Sequence, residues 1–547
     1  MTLSRRSFLS TSALAAATLA LRSAPLSAAT TDATIDILPG ETIAPIAPEL
    51  YSHFLEQLGG VIYDGVWVGE DSHVANDKGI RRKFLESMRA VQAPVIRWPG
   101  GCFADSYDWR DALGKDRPNR TAFWTQQDNN QFGTHEFMHV CRATGAEPYL
   151  AANVRSGTAR DFYQWVEYCN APVSSGSTLA KERAANGSED PFNVRYWGVG
   201  NESWGCGGDM TPEEYASEYR KFTAWTPRYE SQNELRLVAC GPNGDHVDWT
   251  RRVMHSILKD AAGHQPWGLS VHYYTSGTGR KFASGDAINF NNDEFYDLLA
   301  RSSIMETIIT DHWTALAESD PQHKTRLVVD EWGAWYGKGT MIGPEYNLSQ
   351  QLTLRDALLA GITLDIFQRH ADKVAMANVA QTINCLHSLM LARGDQFVTT
   401  PVFNVFQMYA AHRGGTGVRA NFQAATIPNP LAAPASIGGS PASGGTVDAR
   451  NDLAGLSGSA SLHGKTLILT VVNPQIDRPL TTAITVRGAN ITAGQGSVLT
   501  HKDIHAHNDF DHPNTVTTAP VTLKPTGKIL THTFPPASVT ALTLTLA

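Results

Sequence analysis

The 547-residue chain has 42% hydrophobic and 18% charged residues and a formal net charge of −8, the composition of a globular protein too long for one small core. The acidic balance, without any basic run, argues against nucleic acid and an anionic membrane surface as partners. Thirteen tryptophans and sixteen tyrosines supply flat amphipathic rings, which serve both in cores and in sugar sites.

At the N-terminus, Arg5-Arg6 precede the short apolar run TSALAAATLAL and then APLSAA. This is the pattern of a twin-arginine signal over residues 1–29, cleaved near Ala28 or Ala29. The run is shorter than the roughly 20 residues of a spanning helix. The expectation is an exported bacterial protein, periplasmic or secreted, with no membrane contact after signal removal.

Residues 30–48 contain the strand-like ATIDILPG, expected to join a β-sandwich built mainly at the far end of the chain. Between residues 49 and 398, short apolar runs alternate with helical periodicity. The strand candidates are LYSHFLEQLG, APVIRWPGG, EPYLAANV, VRYWGVGNE, LRLVACG, WGLSVHYYT, TRLVVDEWGAWY and KVAMANVAQTIN. ARDFYQWVEYCN has apolar residues at helical spacing, and Thr211-Pro212 with Glu214 form a capping box with proline at the first helical position. Eight strands, each leading to a helix or long loop, predict an α/β fold, a (β/α)8 TIM barrel. No glycine-rich phosphate fingerprint follows the first strand, which argues against a nucleotide-binding open sheet. Residues 399–547 are threonine- and valine-rich, predicting an additional C-terminal all-β, jelly-roll-like sandwich with a low-complexity insertion at about 424–450.

Six cysteines (Cys102, Cys141, Cys169, Cys206, Cys240 and Cys385) include no CxxC pair. They resemble neither a zinc site nor a disulfide framework and are expected to be structural thiols, with Cys206 unassigned.

Two acids stand where a barrel places its chemistry. Glu202 follows the fourth strand candidate and Glu331 ends the core of the seventh, each beside tryptophan. Catalytic groups of such barrels gather at the C-terminal strand ends. Two carboxyl groups there could flank a glycosidic bond, about 5–5.5 Å apart for a retaining reaction.

The stretches RYWGVGNESWGCGG, VVDEWGAWY, VIRWPGGCFADSYDW and IFQRHADKVAMANVAQTIN resemble, in order, the motifs of glycoside hydrolase family 51, the α-L-arabinofuranosidases. The resemblance runs from about Leu50 to Gly415. It implies a barrel with a β-sandwich and a retaining double displacement, with Glu202 as acid/base and Glu331 as nucleophile. It further implies that Glu56 and Asn201 hold sugar hydroxyls and that Tyr274 contacts the nucleophile, with Tyr273 competing for that role. Gln381 and Cys102 would line the sugar pocket, with Trp335 and Trp124 as its aromatic walls. Neither a metal nor an organic cofactor is implied. The expected partners are arabinoxylan, arabinan and their oligosaccharides, and family members often form hexamers. β-Xylosidase or endoglucanase activity is the alternative within the family, and a non-catalytic sugar-binding protein the alternative outside it.

A rival motif is HEFMH, His135 to His139, which fits the helical zinc-protease pattern H-E-x-x-H. It lies on a helix expected to cover the barrel's outside, with no third ligand placed by sequence. The tail after residue 450 contains no tryptophan or tyrosine, so it reads as a structural partner domain rather than a sugar-binding module.

Overall fold

The computed structural model describes residues 31–122, 127–229, 234–259, 264–277, 285–337, 346–431, 435–436, 446–447, 452–525 and 527–547. The twin-arginine segment, Trp124 and much of the 424–450 insertion lie outside the described residues.

After an N-terminal strand, β1 (Ala33–Pro45), eight strands form a closed barrel. They are β2 (Ser52–Phe54), β3 (Val95–Trp98), β4 (Glu147–Ala152), β5 (Tyr196–Val199), β6 (Arg236–Ala239), β7 (Gly268–Thr275), β8 (Arg326–Ala334) and β9 (Val374–Ala380). Every neighbouring pair is parallel, and β9 returns to β2. Each falls within one of the eight strand runs read from the sequence. Their nearly unbroken apolar texture has a physical cause: barrel strands are covered on both faces, so they do not alternate. Val95, Tyr149, Tyr196, Val238, Val328 and Met376 form one buried cluster contributed by six of these strands; side chains, not a channel, fill such a barrel.

The helix Pro212–Thr223 begins as its sequence requires. Glu214 N–H donates to Thr211 Oγ1 at 3.3 Å, Thr211 N–H donates to the Glu214 carboxylate at 2.8 Å, and Pro212 sits in the first turn. The helix Leu354–Arg369 is buried from Leu354 through Gln368. One side packs on the barrel and the other on the C-terminal strands, so it has no solvent face to make polar.

Those strands are β10 (Thr416–Gln423), β11 (Ser457–His463), β12 (Thr466–Asn473), β13 (Leu480–Val486), β14 (Ile491–Thr500), β15 (Thr518–Thr522), β16 (Ile529–Phe534) and β17 (Ser538–Leu546). With β1 they make one nine-stranded sheet in the order β15-β14-β17-β12-β11-β10-β1-β13-β16. β1 lies parallel to β13 and antiparallel to β10. Leu542 of β17 and Leu530 of β16 share one apolar cluster although their strands are far apart in the sheet, so the sheet closes over a core of its own. Among the described residues, no helix is long and apolar enough to cross a membrane.

Candidate active site

The polar side chains that matter converge at the C-terminal end of the barrel. Glu56 follows β2, Arg97 lies in β3, and Asn201 and Glu202 follow β5. His272 and Tyr274 lie in β7, Glu331 in β8, and Gln381 follows β9.

Glu331 is buried, its side chain 6% exposed. Arg97 donates to its Oε1 at 2.8 Å and Tyr274 OH donates to its Oε2 at 2.7 Å. Burial pushes this carboxyl's pKa up, but the charges of His272 and Arg97 and the two hydrogen bonds outweigh burial and hold it below the usual range. Glu331 is therefore an anion at neutral pH.

Glu202 is more open, at 18% side-chain exposure. It takes a left-handed backbone, φ 39°, a conformation that costs a non-glycine residue energy and persists only when its surroundings impose it. The turn after it imposes it. A Cβ on Gly207 would lie 1.7 Å from the Asn201 carbonyl oxygen, so only glycine lets the chain fold back here.

His272 bridges the two acids. Its Nδ1 lies 3.0 Å from Glu202 Oε1 and 3.7 Å from Glu331 Oε2, and it pairs in register with Glu331 across β7 and β8. Burial lowers the imidazole's pKa, but the Glu331 and Glu202 carboxylates raise it above the ordinary value on balance. One oxygen of Glu202 and one of Glu331 lie within 4.8 Å of each other, with the His272 nitrogen as close to both.

Asn201 accepts from Arg97 at 2.6 Å, so one guanidinium orients both Glu331 and the residue before Glu202. Arg97 Nε also lies 3.8 Å from Asp330, which accepts from Tyr149 OH and Asn378 Nδ2, each at 2.9 Å. Glu56 accepts from Phe103 N–H and from Gln381 Nε2, each at 3.0 Å, and its own N–H donates to the Gln381 side-chain oxygen at 2.9 Å. Burial first, and the Glu331 charge second, push the Glu56 pKa up to about 8. The Trp335 ring meets Tyr274 edge-on with centroids 5.0 Å apart.

The structure thus brings together Glu56, Cys102, Asn201, Glu202, Tyr274, Glu331, Trp335 and Gln381. Of the two competing tyrosines, Tyr274 reaches Glu331, while Tyr273 OH donates to the Arg301 carbonyl at 2.8 Å. Arg97 and His272 were not singled out from the sequence. The available signal was a charged or polar residue inside an apolar strand, VIRW and SVHYY.

One expectation about cysteine fails. Cys102 and Cys206 form a disulfide across 104 positions of sequence. Spacing carries no trace of it, because the pair meets only when the loops after β3 and β5 share the barrel mouth. Cys141, Cys169, Cys240 and Cys385 are free and buried.

The HEFMH motif does not converge on a metal. His135 Nε2 is 2.7 Å from Tyr168 OH and His139 is 3.3 Å from Asp77. Glu136 accepts from Gly133 N–H at 2.8 Å, closing the start of its helix, and pairs with Arg117 at 2.8 Å.

Comparison with known proteins gives a consistent picture. The family model described as the α-L-arabinofuranosidase 1 domain matches residues 87–283, and that of the α-L-arabinofuranosidase C-terminal domain matches residues 330–538. An intracellular exo-α-L-arabinofuranosidase of Bacteroides ovatus is 35% identical over 89% of this chain and 90% of its own. The crystal structure of the GH51 arabinofuranosidase from Xanthomonas axonopodis pv. citri has a TM-score of 0.84 at 34% identity, over 94% of this chain and all of that one. The α-L-arabinofuranosidase of Thermotoga maritima, in an arabinose complex, has a TM-score of 0.80 at 27% identity, covering 94% of this chain and 100% of its own.

The Bacteroides relative overturns the expectation of twin-arginine export to the periplasm or medium, since a chain so similar over nearly its whole length is an intracellular enzyme. Two arginines ahead of a short alanine- and leucine-rich run make a small compositional pattern. It reports local charge and hydropathy, not where the folded enzyme works.

Proposed function

The chain belongs to glycoside hydrolase family 51, the α-L-arabinofuranosidases, and from that premise we propose that it releases terminal arabinofuranosyl residues by a retaining double displacement. Its substrates are arabinoxylan, arabinan or oligosaccharides derived from them. The observation that carries this reading is the pairing of Glu202 and Glu331 through His272, with carboxylate oxygens within 4.8 Å of each other. Retaining pairs stand about 5–5.5 Å apart, whereas inverting pairs need about 6.5–9.5 Å to admit a water.

In this reading the Glu331 carboxylate attacks the anomeric carbon, while Glu202 gives its proton to the departing glycosidic oxygen. The bond to that oxygen breaks and an arabinosyl ester forms on Glu331. Glu202, now a carboxylate, takes a proton from water, whose oxygen attacks the same carbon and frees Glu331. Arg97 and Tyr274 keep Glu331 ionised and aimed, and Glu56, Asn201 and Gln381 hold the sugar. The partial exposure of Glu202 suits a group that must regain its proton every turnover.

Aryl α-L-arabinofuranosides and β-xylosides, assayed in parallel, test the reading. Glu331→Ala is expected to abolish turnover. Glu202→Ala is expected to lose roughly 10²–10⁴-fold in kcat/KM with poor leaving groups. Azide should rescue Glu202→Ala with good leaving groups, because it attacks the ester without base catalysis. Full activity in Glu331→Ala, or no rescue by azide, would overturn the assignment.

A further inference from the structure

Beside Glu202, the disulfide sulfurs form a second cluster that hydrolysis does not use. Cys102 opens the short turn Cys102–Ser106 after β3, and Cys206 stands between the glycines that follow Glu202. Both are partly exposed. Glu202 Oε2 lies 3.5 Å from Cys206 Sγ and 3.8 Å from Cys102 Sγ. The four remaining cysteines are buried, and burial pushes each of their thiols well up, Cys240 to about 12.

These separations have a geometric meaning. Two ligands on one tetrahedral zinc, with Zn–S about 2.3 Å and Zn–O about 2.0 Å, stand about 3.5 Å apart along a sulfur–oxygen edge. Both sulfur–oxygen distances to Glu202 are near that value. On reduction the sulfur–sulfur edge must open to the roughly 3.8 Å at which two thiolates stand on one zinc, and the sulfur–oxygen edges adjust with it. With the two Cα atoms 5.6 Å apart, rotation of the two side chains opens that edge without moving the backbone far.

We propose that, once this disulfide is reduced, Cys102, Cys206 and Glu202 chelate a thiophilic divalent cation of the Zn²⁺ class at the mouth of the sugar pocket, inhibiting hydrolysis. Reduction is exchange with a low-molecular-weight thiol: two reductant thiols become its disulfide, and the protein gains two thiols. The cation then displaces two thiol protons to water and takes two thiolates and one carboxylate oxygen. Two sulfurs select Zn²⁺ or Cd²⁺ over Mg²⁺ and Ca²⁺. The other Glu202 oxygen keeps its partner His272 at 3.0 Å, the kind of neighbour that orients a metal-bound carboxylate. The fourth position stays open to water. The ion is not a cofactor of hydrolysis: bound to the Glu202 carboxylate, it competes with the proton that this group donates in the proposed mechanism. The inhibition, but not the binding, rests on the acid/base reading of Glu202.

The test uses the full chain with Cd²⁺ as probe, reduced with a non-thiol phosphine or left oxidised. The reduced protein is expected to take up one Cd²⁺ per chain and show the ultraviolet thiolate-to-cadmium charge-transfer band. It should also lose arabinofuranosidase activity reversibly on chelation. The oxidised protein should show neither band nor inhibition. Cys206→Ser, reduced, should bind Cd²⁺ at least about tenfold more weakly, with a smaller band. Absence of the band in the reduced protein, or equal affinity in Cys206→Ser, would overturn the site. A bound ion with the full band but undiminished hydrolysis would instead overturn the placement of Glu202 as acid/base.

Discussion

Glu331 remains charged in a nearly dry setting because Arg97, Tyr274 and His272 surround it, and the balance among these three sets its working pH range. In the proposed mechanism Glu331 attacks only when ionised, so activity falls as pH drops through its pKa. His272 helps hold that pKa down, and removing the imidazolium raises it. His272→Asn is therefore expected to move the acid limb of the kcat/KM profile to higher pH, by roughly one unit or more. An unmoved acid limb would show that Arg97 and Tyr274 suffice. The placement of both acids at the barrel mouth could be read from the sequence because a carboxylate at the end of an apolar strand is expensive and stands out there. Arg97 and His272 could not, because a lone polar residue in a strand looks the same whether it faces the barrel mouth or a chance partner.

At the scale of elements, the loop after β3 shows how closely backbone and site are fitted. Gly101 has φ 82°, and a Cβ there would lie 2.3 Å from the Glu56 carboxyl carbon. Glu56 in turn fixes Phe103 N–H and Gln381. Gly101→Ala must therefore displace either the loop or Glu56. It is expected to lower kcat/KM at least about tenfold while circular dichroism stays native, since a misplacement near 1 Å costs about that much or more. Unchanged kinetics would mean that Glu56 does not need its present position. The eight strands and the Thr211 cap were legible because each depends on local texture: strand runs bounded by turns, and a cap whose partner is three residues away. The disulfide was not, because it depends on which loop tips meet; the Tyr274 contact came from the family resemblance, since strand texture alone cannot choose between adjacent tyrosines.

At the scale of the molecule, the barrel and the nine-stranded sheet are joined through the buried helix Leu354–Arg369. Asp365 on that helix accepts from Ser459 and Thr470 of the sheet, each at 2.6 Å, and from Tyr409 at 2.9 Å. Burial pushes its carboxyl up to about 6 even though these hydroxyls act to lower it. Asp365→Ala removes the acceptor that three buried hydroxyls share, leaving Ser459 with Gln368, Thr470 with His412 and Tyr409 with the Gly361 carbonyl, and is expected to cost roughly 1–3 kcal/mol. Barrel and sheet should still melt together, in one calorimetric transition at lower temperature. Two separate transitions would show that the sheet folds independently of the barrel. The helix also explains why the tail's role could not be read from its strands alone: their alternating threonines and valines specify a sheet, not what covers it.

The sequence by itself determined the barrel, its strand order, the capped helix and the position of two acids at strand ends, because these follow from hydropathy, turn chemistry and the cost of charge at a strand end. Only the tertiary structure decided that Arg97 serves Glu331 and Asn201 together and that His272 joins the two acids. It also decided that Cys102 and Cys206 meet beside Glu202. The reason is closure. Residues scattered from 56 to 381 become neighbours only when the eighth strand returns to the first, and no local property of the chain records which of them will then face one another.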